Sequence, residues 1–375
     1  MEMATPELAQ AEQFARSGKL VDAEIAYARA IQTSRDPVAF NKFGDFLKRE
    51  GRLSEAQSMY ESALNSSPTE KQAQADAHRK LGELFLIGRD LTRSEQEFQQ
   101  ALSIDQSLNN QQALADDYRG LGNVARARRD FESAEAYFSR ALELDVARNA
   151  LRSIAKDKGS LGLVALHRRD LNRAEEMFRA TLQINEEHQW LEGVAKDSSN
   201  LARVLLARGD LEKLQEAERL QERALAIYTQ FHDIPGMANS SGILGTIYLN
   251  RGKLEEAEEC FNQALQLEDQ LGRSPEMAQA NLSLGELYRQ KGDLERAEQY
   301  FRRALKIRER LGDSEALAVV YKHLGLLYQD RGDLQRARET WLFARGIYLS
   351  LESQSQVQEL DALVSTVPES APDTA

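Results

Sequence analysis

The 375-residue chain has a single cysteine, Cys260. That rules out an internal disulfide and a cysteine-rich zinc site, so packing alone has to supply stability. Prolines number seven and aromatic residues make up 7 % of the chain. Set beside 42 % apolar and 29 % charged residues, this scarcity describes a folded, helical chain rather than a disordered one. No stretch approaches the ~18 apolar residues that a membrane span needs. The start, Met1 to Pro6, has neither a basic n-region nor an apolar h-region. Membrane insertion is therefore not expected, cytoplasmic residence is, and the Asn-x-Ser/Thr matches at Asn65, Asn239 and Asn281 carry no weight. Positive charge is also in deficit: 48 basic against 60 acidic side chains leave a formal charge of −12, which disfavours nucleic acid and anionic membranes as partners.

The usual arrangements of catalytic chemistry are missing as well. His78, His167, His188, His232 and His323 are scattered singly and form no HExxH or Cys-His spacing. Cys260 has no base in sequence reach that would make it a nucleophile. Gly18-Lys19 and Gly252-Lys253 are each followed by leucine, not by the serine or threonine of a phosphate-binding loop. The basic clusters Arg126-Ala127-Arg128-Arg129 and His167-Arg168-Arg169 fall where first helices end, a place that favours positive charge. No enzyme, metal ion, cofactor or catalytic residue is expected.

What the chain does have is a repeat. The pairs Phe43-Gly44, Leu81-Gly82, Leu121-Gly122, Leu161-Gly162, Leu201-Ala202, Leu244-Gly245, Leu284-Gly285 and Leu324-Gly325 follow one another at steps of 38, 40, 40, 40, 43, 40 and 40 residues. Nine residues after each pair stands one apolar residue, from Leu53 to Leu334. Six of these are preceded by Asp90, Asp130, Asp170, Asp210, Asp293 or Asp333, and five have a glycine one position earlier still. Glycine ends one helix and aspartate caps the next, so each unit reads as helix, tight turn, helix. In the unit of Gly285, Leu294, Ala297, Phe301, Ala304 and Leu305 keep one stripe of the second helix apolar. An earlier unit centres on Ala11, with Gly18, Leu20, Ala23, Tyr27 and Ala30 in the matching places. Nine units then span residues 6–350, followed by a capping helix over 351–367 with Val357, Leu360, Leu363 and Val364 on one face, and by a disordered polar tail over 368–375.

The recurring Leu284, Gly285, Tyr288, Gly292, Leu294, Ala297, Phe301 and Ala304 resemble the tetratricopeptide repeat. The forty-residue step, with endings such as Gln270-Leu271-Gly272-Arg273 and Arg310-Leu311-Gly312-Asp313, resembles an extended subclass. That subclass is found in kinesin light chains and in cell-polarity adaptors that bind G-protein subunits. The family's proline late in the second helix survives as Pro68, whereas the longer units carry residues such as Glu186 and Glu309 there. Its loss lets the helix run on, with Leu271 and Leu311 extending the stripe. The resemblance implies an all-α, right-handed α-solenoid of about nine helix-turn-helix repeats, lined on its concave side by the first helices.

The resemblance also implies a protein-binding scaffold or adaptor, with a regulatory sensor that changes superhelical pitch as the alternative. Its groove positions lie six and three before the Leu-Gly glycine and one and four after it. From Gly44 through Ala202 they select Asn41, Asp45, Lys48, Asp76, Arg79, Glu83, Asp116, Arg119, Asn123, Arg126, Lys156, Lys196, Ser199 and Arg203. Seven are basic and four acidic, an excess that suits an acidic or carboxylate-bearing peptide partner. The opposing expectation is a solvated face whose charges pair along the helices, Asp116 with Arg119 and Arg79 with Glu83. A carboxylate clamp of the kind the family uses is matched by Arg119, Asn123 and Lys196, but Ser160 and Asn200 depart from it. Asn200 then serves as a neutral peptide contact. The sixth unit has Ala202 for glycine, three extra residues and Gln221 at the aromatic position, and reads either as a hinge or as drift within a tolerant array.

Overall fold

The structure is a computed structural model that describes residues 5–66 and 69–367. Pro68 and the tail over 368–375 lie outside the described residues. Those described form nineteen helices and no strand, an all-α solenoid of consecutive hairpins. Among them no helix is long and apolar enough to cross a membrane.

The helices fall into two compact units, Met1–Glu187 and His188–Ala375. The first unit holds α1 (Pro6–Arg16), α2 (Leu20–Ser34), α3 (Pro37–Arg49), α4 (Leu53–Ser66), α5 (Lys71–Ile87), α6 (Leu91–Leu108), α7 (Gln111–Ala127), α8 (Phe131–Ala147), α9 (Leu151–His167) and α10 (Leu171–Glu187). The second holds α11 (Leu191–Arg208), α12 (Leu211–Gln230), α13 (Ile234–Asn250), α14 (Leu254–Leu271), α15 (Ser274–Gln290), α16 (Leu294–Leu311), α17 (Ser314–Asp330), α18 (Leu334–Ser350) and α19 (Gln354–Ser365).

The hairpin turns follow the expected chemistry. The carboxylates of Asp90, Asp130, Asp170, Asp210, Asp293 and Asp333 each accept a hydrogen bond from the backbone N–H three residues on, at 2.9–3.2 Å. The turn before each cap requires positive φ. Gly51, Gly209, Gly252, Gly292 and Gly332 supply it, while Arg89, Arg129 and Arg169 are held in the same left-handed geometry at φ 61°, 66° and 64°. A side chain is strained there, so the hairpin enforces the turn even where the sequence lacks glycine.

Inside each hairpin the Leu-Gly glycine lies against the aromatic residue of the second helix. A Cβ added at Gly82 would fall 2.9 Å from the Phe98 ring, and one at Gly122 or Gly245 would fall 2.7 Å from Phe138 or Phe261. Gly44 with Tyr60, Gly162 with Phe178, Gly285 with Phe301 and Gly325 with Trp341 repeat the contact. These rings are among the largest fully buried side chains and tie the helices of each hairpin together. In the sixth unit the three extra residues are absorbed into α12, the longest helix at 20 residues. Gln221 is fully buried in the ring's place, and neither of its amide atoms has a hydrogen-bond partner.

At the carboxyl end, Leu360 and Val367 pack with Trp341 and Tyr348, flanked by Val357, Leu363 and Val364. Ion pairs Lys322–Glu359 at 3.0 Å and Arg345–Asp361 at 2.5 Å hold α19 in place. The expected extension of the apolar stripe holds only in part: Leu271 is half-buried, but Leu311 is 43 % exposed. The last turn of α16 reaches beyond its neighbours' packing.

Candidate functional site

Of the groove residues expected in the first unit, several are spent on the fold itself. Asn41 on α3 is buried, and its Nδ2 donates to the Ala73 carbonyl oxygen on α5 at 3.0 Å. It joins two repeats and is not a surface contact. Lys48 pairs with Glu83 on α5 at 2.5 Å. Arg79 on α5 spreads its guanidinium over Asp105 on α6 at 2.5 Å, Asp117 on α7 at 2.7 Å and Asp76 at 3.5 Å. Arg119 on α7 repeats this forty residues later, with Asp145 on α8 at 2.7 Å, Asp157 on α9 at 2.6 Å and Asp116 at 2.5 Å. Arg119 therefore pairs with Asp116 as the charge-pairing expectation has it, whereas Arg79 turns to Asp76 and leaves Glu83 to Lys48.

Asp105, Asp117, Asp145 and Asp157 have no exposed surface. Arg79 and Arg119 are thus cross-repeat fasteners, and a partner's carboxylate would have to displace buried ones to reach them. This removes both arginines, and with Arg119 the carboxylate clamp, from the free surface. The offset rule places side chains on a helix face, but it cannot tell that carboxylates two helices away reach the same spot. Each cluster sets two buried carboxyls against a central guanidinium, and at Asp145 a second one, Arg148, pairs at 2.5 Å. Burial pushes Asp117 and Asp157 up to about 7, and the neighbouring Asp105 and Asp145 add to the rise against the lowering pull of the arginines.

The remaining first-unit residues lie nearer the surface. Asn123 accepts a 3.4 Å hydrogen bond from Arg126, whose pKa is lowered by desolvation, and Lys156 is exposed. The basic clusters at the ends of first helices are neutralised by the preceding second helices: Arg128 pairs with Glu95 and Arg168 with Glu135, both at 2.6 Å. Arg251 with Glu218 and Lys291 with Glu258 at 2.6 Å are the counterparts in the second unit. Cys260 is half-buried, and burial pushes its thiol up to about 11, far from an activated nucleophile. Among the described residues no group of three or more His, Cys, Asp and Glu could hold a metal ion.

The second unit is different. On α11, Asn200 is buried, while Lys196 and Arg203 are exposed. Arg203 makes no hydrogen bond or ion pair with any described residue. Groove walls crowd it and their desolvation lowers its pKa, but its exposure decides that the charge is available. Arg203 stands on the rim of an open hollow of about 360 Å³ between α11, α13 and α15, with Phe261 and Ala264 of α14 beneath. Leu206, Ala238, Gly242, Ile243 and Ala280 make the lining apolar, and Asn239, Gln279 and Glu276 complete the rim. Glu268, also in the wall, is neutralised by Arg273 through bonds of 2.5 and 2.6 Å. Further along, Glu286 and Arg289 on α15 bond each other at 2.8 Å and pair with His323 at 3.4 Å and Asp330 at 2.6 Å. Those hydrogen bonds outweigh burial and draw Glu286 down to about 2.

Asn239, Gly242 and Gln279 escape the list of groove residues read from the sequence, which ends with the unit of Ala202. The same offsets applied to Gly245 and Gly285 give Asn239, Gly242 and Thr246, then Gln279, all of which line this hollow. The signal was present and needed only to be carried two units further.

Among curated proteins none matches the chain. In solved structures the same fold recurs. The apo form of the quorum sensor NprR from B. thuringiensis aligns with TM-score 0.68 at 12 % identity, over 91 % of this chain and 97 % of that one. Aspartyl phosphate phosphatase F from Bacillus subtilis aligns with TM-score 0.61 at 13 % identity, over 92 % and 94 %. A Rap protein complexed with competence and sporulation factor aligns with TM-score 0.61 at 14 % identity, over 88 % and 97 %. At such identities the likeness is one of fold. Two family models, each described as tetratricopeptide repeat, match residues 42–109 and residues 194–269 and 276–340, together more than half of the chain. With its glycine-aromatic hairpins, aspartate caps and consecutive stacking, the chain belongs to the tetratricopeptide repeat family.

Proposed function

We propose that the chain is a non-enzymatic interaction scaffold that holds a segment of another protein against the first helices of its second unit. The observation that carries this reading is the hollow between α11, α13 and α15, apolar within and edged by the unpaired cation Arg203. In the first unit, by contrast, the charges expected to meet a partner are largely consumed by the fold. Lys196, on the same helix as Arg203, adds a second exposed cation, so the segment that fits is acidic even though the chain as a whole carries −12. Two of the structural relatives, one titled a quorum sensor and the other solved with competence and sporulation factor bound, agree with a binding role.

The test is affinity capture from lysate with the wild-type chain and with a Lys196→Glu, Arg203→Glu double variant, read by mass spectrometry, with circular dichroism to check both folds. Arg119 is left unchanged, because a glutamate there would add a carboxylate to a buried acidic cluster and unfold the first unit. A partner held by the wild type and lost by the folded variant is expected. Equal capture by both overturns the reading.

A further inference from the structure

The position three residues before the Leu-Gly glycine changes its character along the chain. It is Arg79 on α5 and Arg119 on α7, where the side chain fills the space between successive first helices and draws in carboxylates from both sides. On α13 the same position is Gly242. There the side chain is missing, as it is at Gly159 on α9, and over Gly242 the space between α11, α13 and α15 stays open as the hollow.

Packing does not ask for this glycine. A Cβ built on Gly242 meets nothing nearer than the Ala264 Cβ at 4.0 Å, whereas one on Gly245, a turn later, would strike the Phe261 ring at 2.7 Å. Gly242 lies inside a regular helix without positive φ, where glycine only weakens the helix. What Gly242 provides is room over an apolar floor of Leu206, Ile243 and Ala264.

We propose that the hollow over Gly242 is an anchor site for a leucine- or phenylalanine-sized side chain of a partner peptide, and that an aspartate or glutamate of the same peptide pairs with Arg203. The proposal rests on the scaffold reading and names its contact. Charge complementarity sets the peptide's chemistry: Arg203 is the unpaired cation on the α11 rim, Glu268 in the wall is already neutralised by Arg273, and Glu276 leaves the α15 rim negative. The peptide's acidic end therefore lies toward α11, and the end beyond its apolar anchor is neutral or basic. The anchor leaves water for an apolar floor, and the acidic residue fixes its direction.

The experiment is a selection from a library of acetylated and amidated nonapeptides on the full chain, with a folded Gly242→Leu chain as the counter-target. Enriched peptides are expected to carry leucine, phenylalanine or methionine within a few residues of aspartate or glutamate. The best of them, measured by fluorescence anisotropy, should lose on the order of tenfold in affinity on Gly242→Leu. Changing its acidic residue to the amide should weaken binding to the wild type by a similar factor and to Arg203→Gln not at all. If Gly242→Leu loses helix content, Gln279→Trp, an exposed rim position, roofs the hollow instead and should act alike. Selection yielding no peptide that prefers the wild type, or peptides indifferent to both roofing changes, overturns the anchor. A lysate partner lost on Lys196→Glu, Arg203→Glu but retained on Gly242→Leu would overturn the anchor alone and leave the scaffold reading standing.

Discussion

Single residues set the helix spacing in this protein, and Gly285 shows how. The backbone of α15 comes so close to Phe301 that no Cβ fits between them, and the same holds at Gly82, Gly122, Gly245 and Gly325. Gly285→Leu should force the two helices apart and cost on the order of 1–3 kcal/mol through overpacking. Chemical denaturation checks it, and an unchanged unfolding midpoint would show that the close approach is misread. Gln221 is the opposite case. It sits fully buried where its counterparts are aromatic, with both amide atoms lacking partners, and a buried polar group in that state costs about 1–3 kcal/mol. Gln221→Leu keeps the volume and removes the unpaired atoms, so it should raise the unfolding midpoint. A lowered midpoint in the same titration would mean that the amide is satisfied after all.

Between helices, the most consequential contacts are the two arginine fasteners. Arg79 joins α5, α6 and α7, and Arg119 joins α7, α8 and α9, each holding two fully buried carboxylates. An isolated aspartate titrates near ~3.9, while Asp117 and Asp157 are pushed up to about 7. A carboxyl that holds its proton more tightly when folded contributes stability that is fully present below about pH 4 and lost as pH rises through about 7. Thermal melting followed by circular dichroism should therefore fall in midpoint between about pH 5 and pH 8. Asp117→Asn with Asp157→Asn should flatten that slope, and a double variant as steep as the wild type would place the titration elsewhere. These clusters also mark a limit of the sequence. The Leu-Gly pairs, the caps and the aromatic positions were legible because each imposes a residue type at a fixed spacing on the chain itself. Whether a groove-facing arginine is free depends on carboxylates 26 and 38 residues away, which no single helix pattern contains. The hollow over Gly242 was harder still to read, because its signature is a side chain that is absent.

At the scale of the whole molecule, repetition carries function as well as stability. One helix face recurs from repeat to repeat, tied by Arg79 and Arg119 in the first unit and open over Gly242 in the second. The turns at Arg89, Arg129 and Arg169 show the same tolerance: the array imposes its geometry on residues that would not choose it. The fasteners add a constraint that acts along the array. Because Arg79 and Arg119 stand one repeat apart, removing residues 83–122 would bring Arg79 to Asp145 and Asp157 at the spacing it now has to Asp105 and Asp117, and Gly82 to Phe138 in place of Phe98. That shortened chain should fold with helix content per residue unchanged, whereas a cut of half a repeat, residues 83–102, should not. Far-ultraviolet circular dichroism of the two deletions decides it. The buried charges thus act as a reading frame, letting the array grow or shrink by whole repeats and by nothing else.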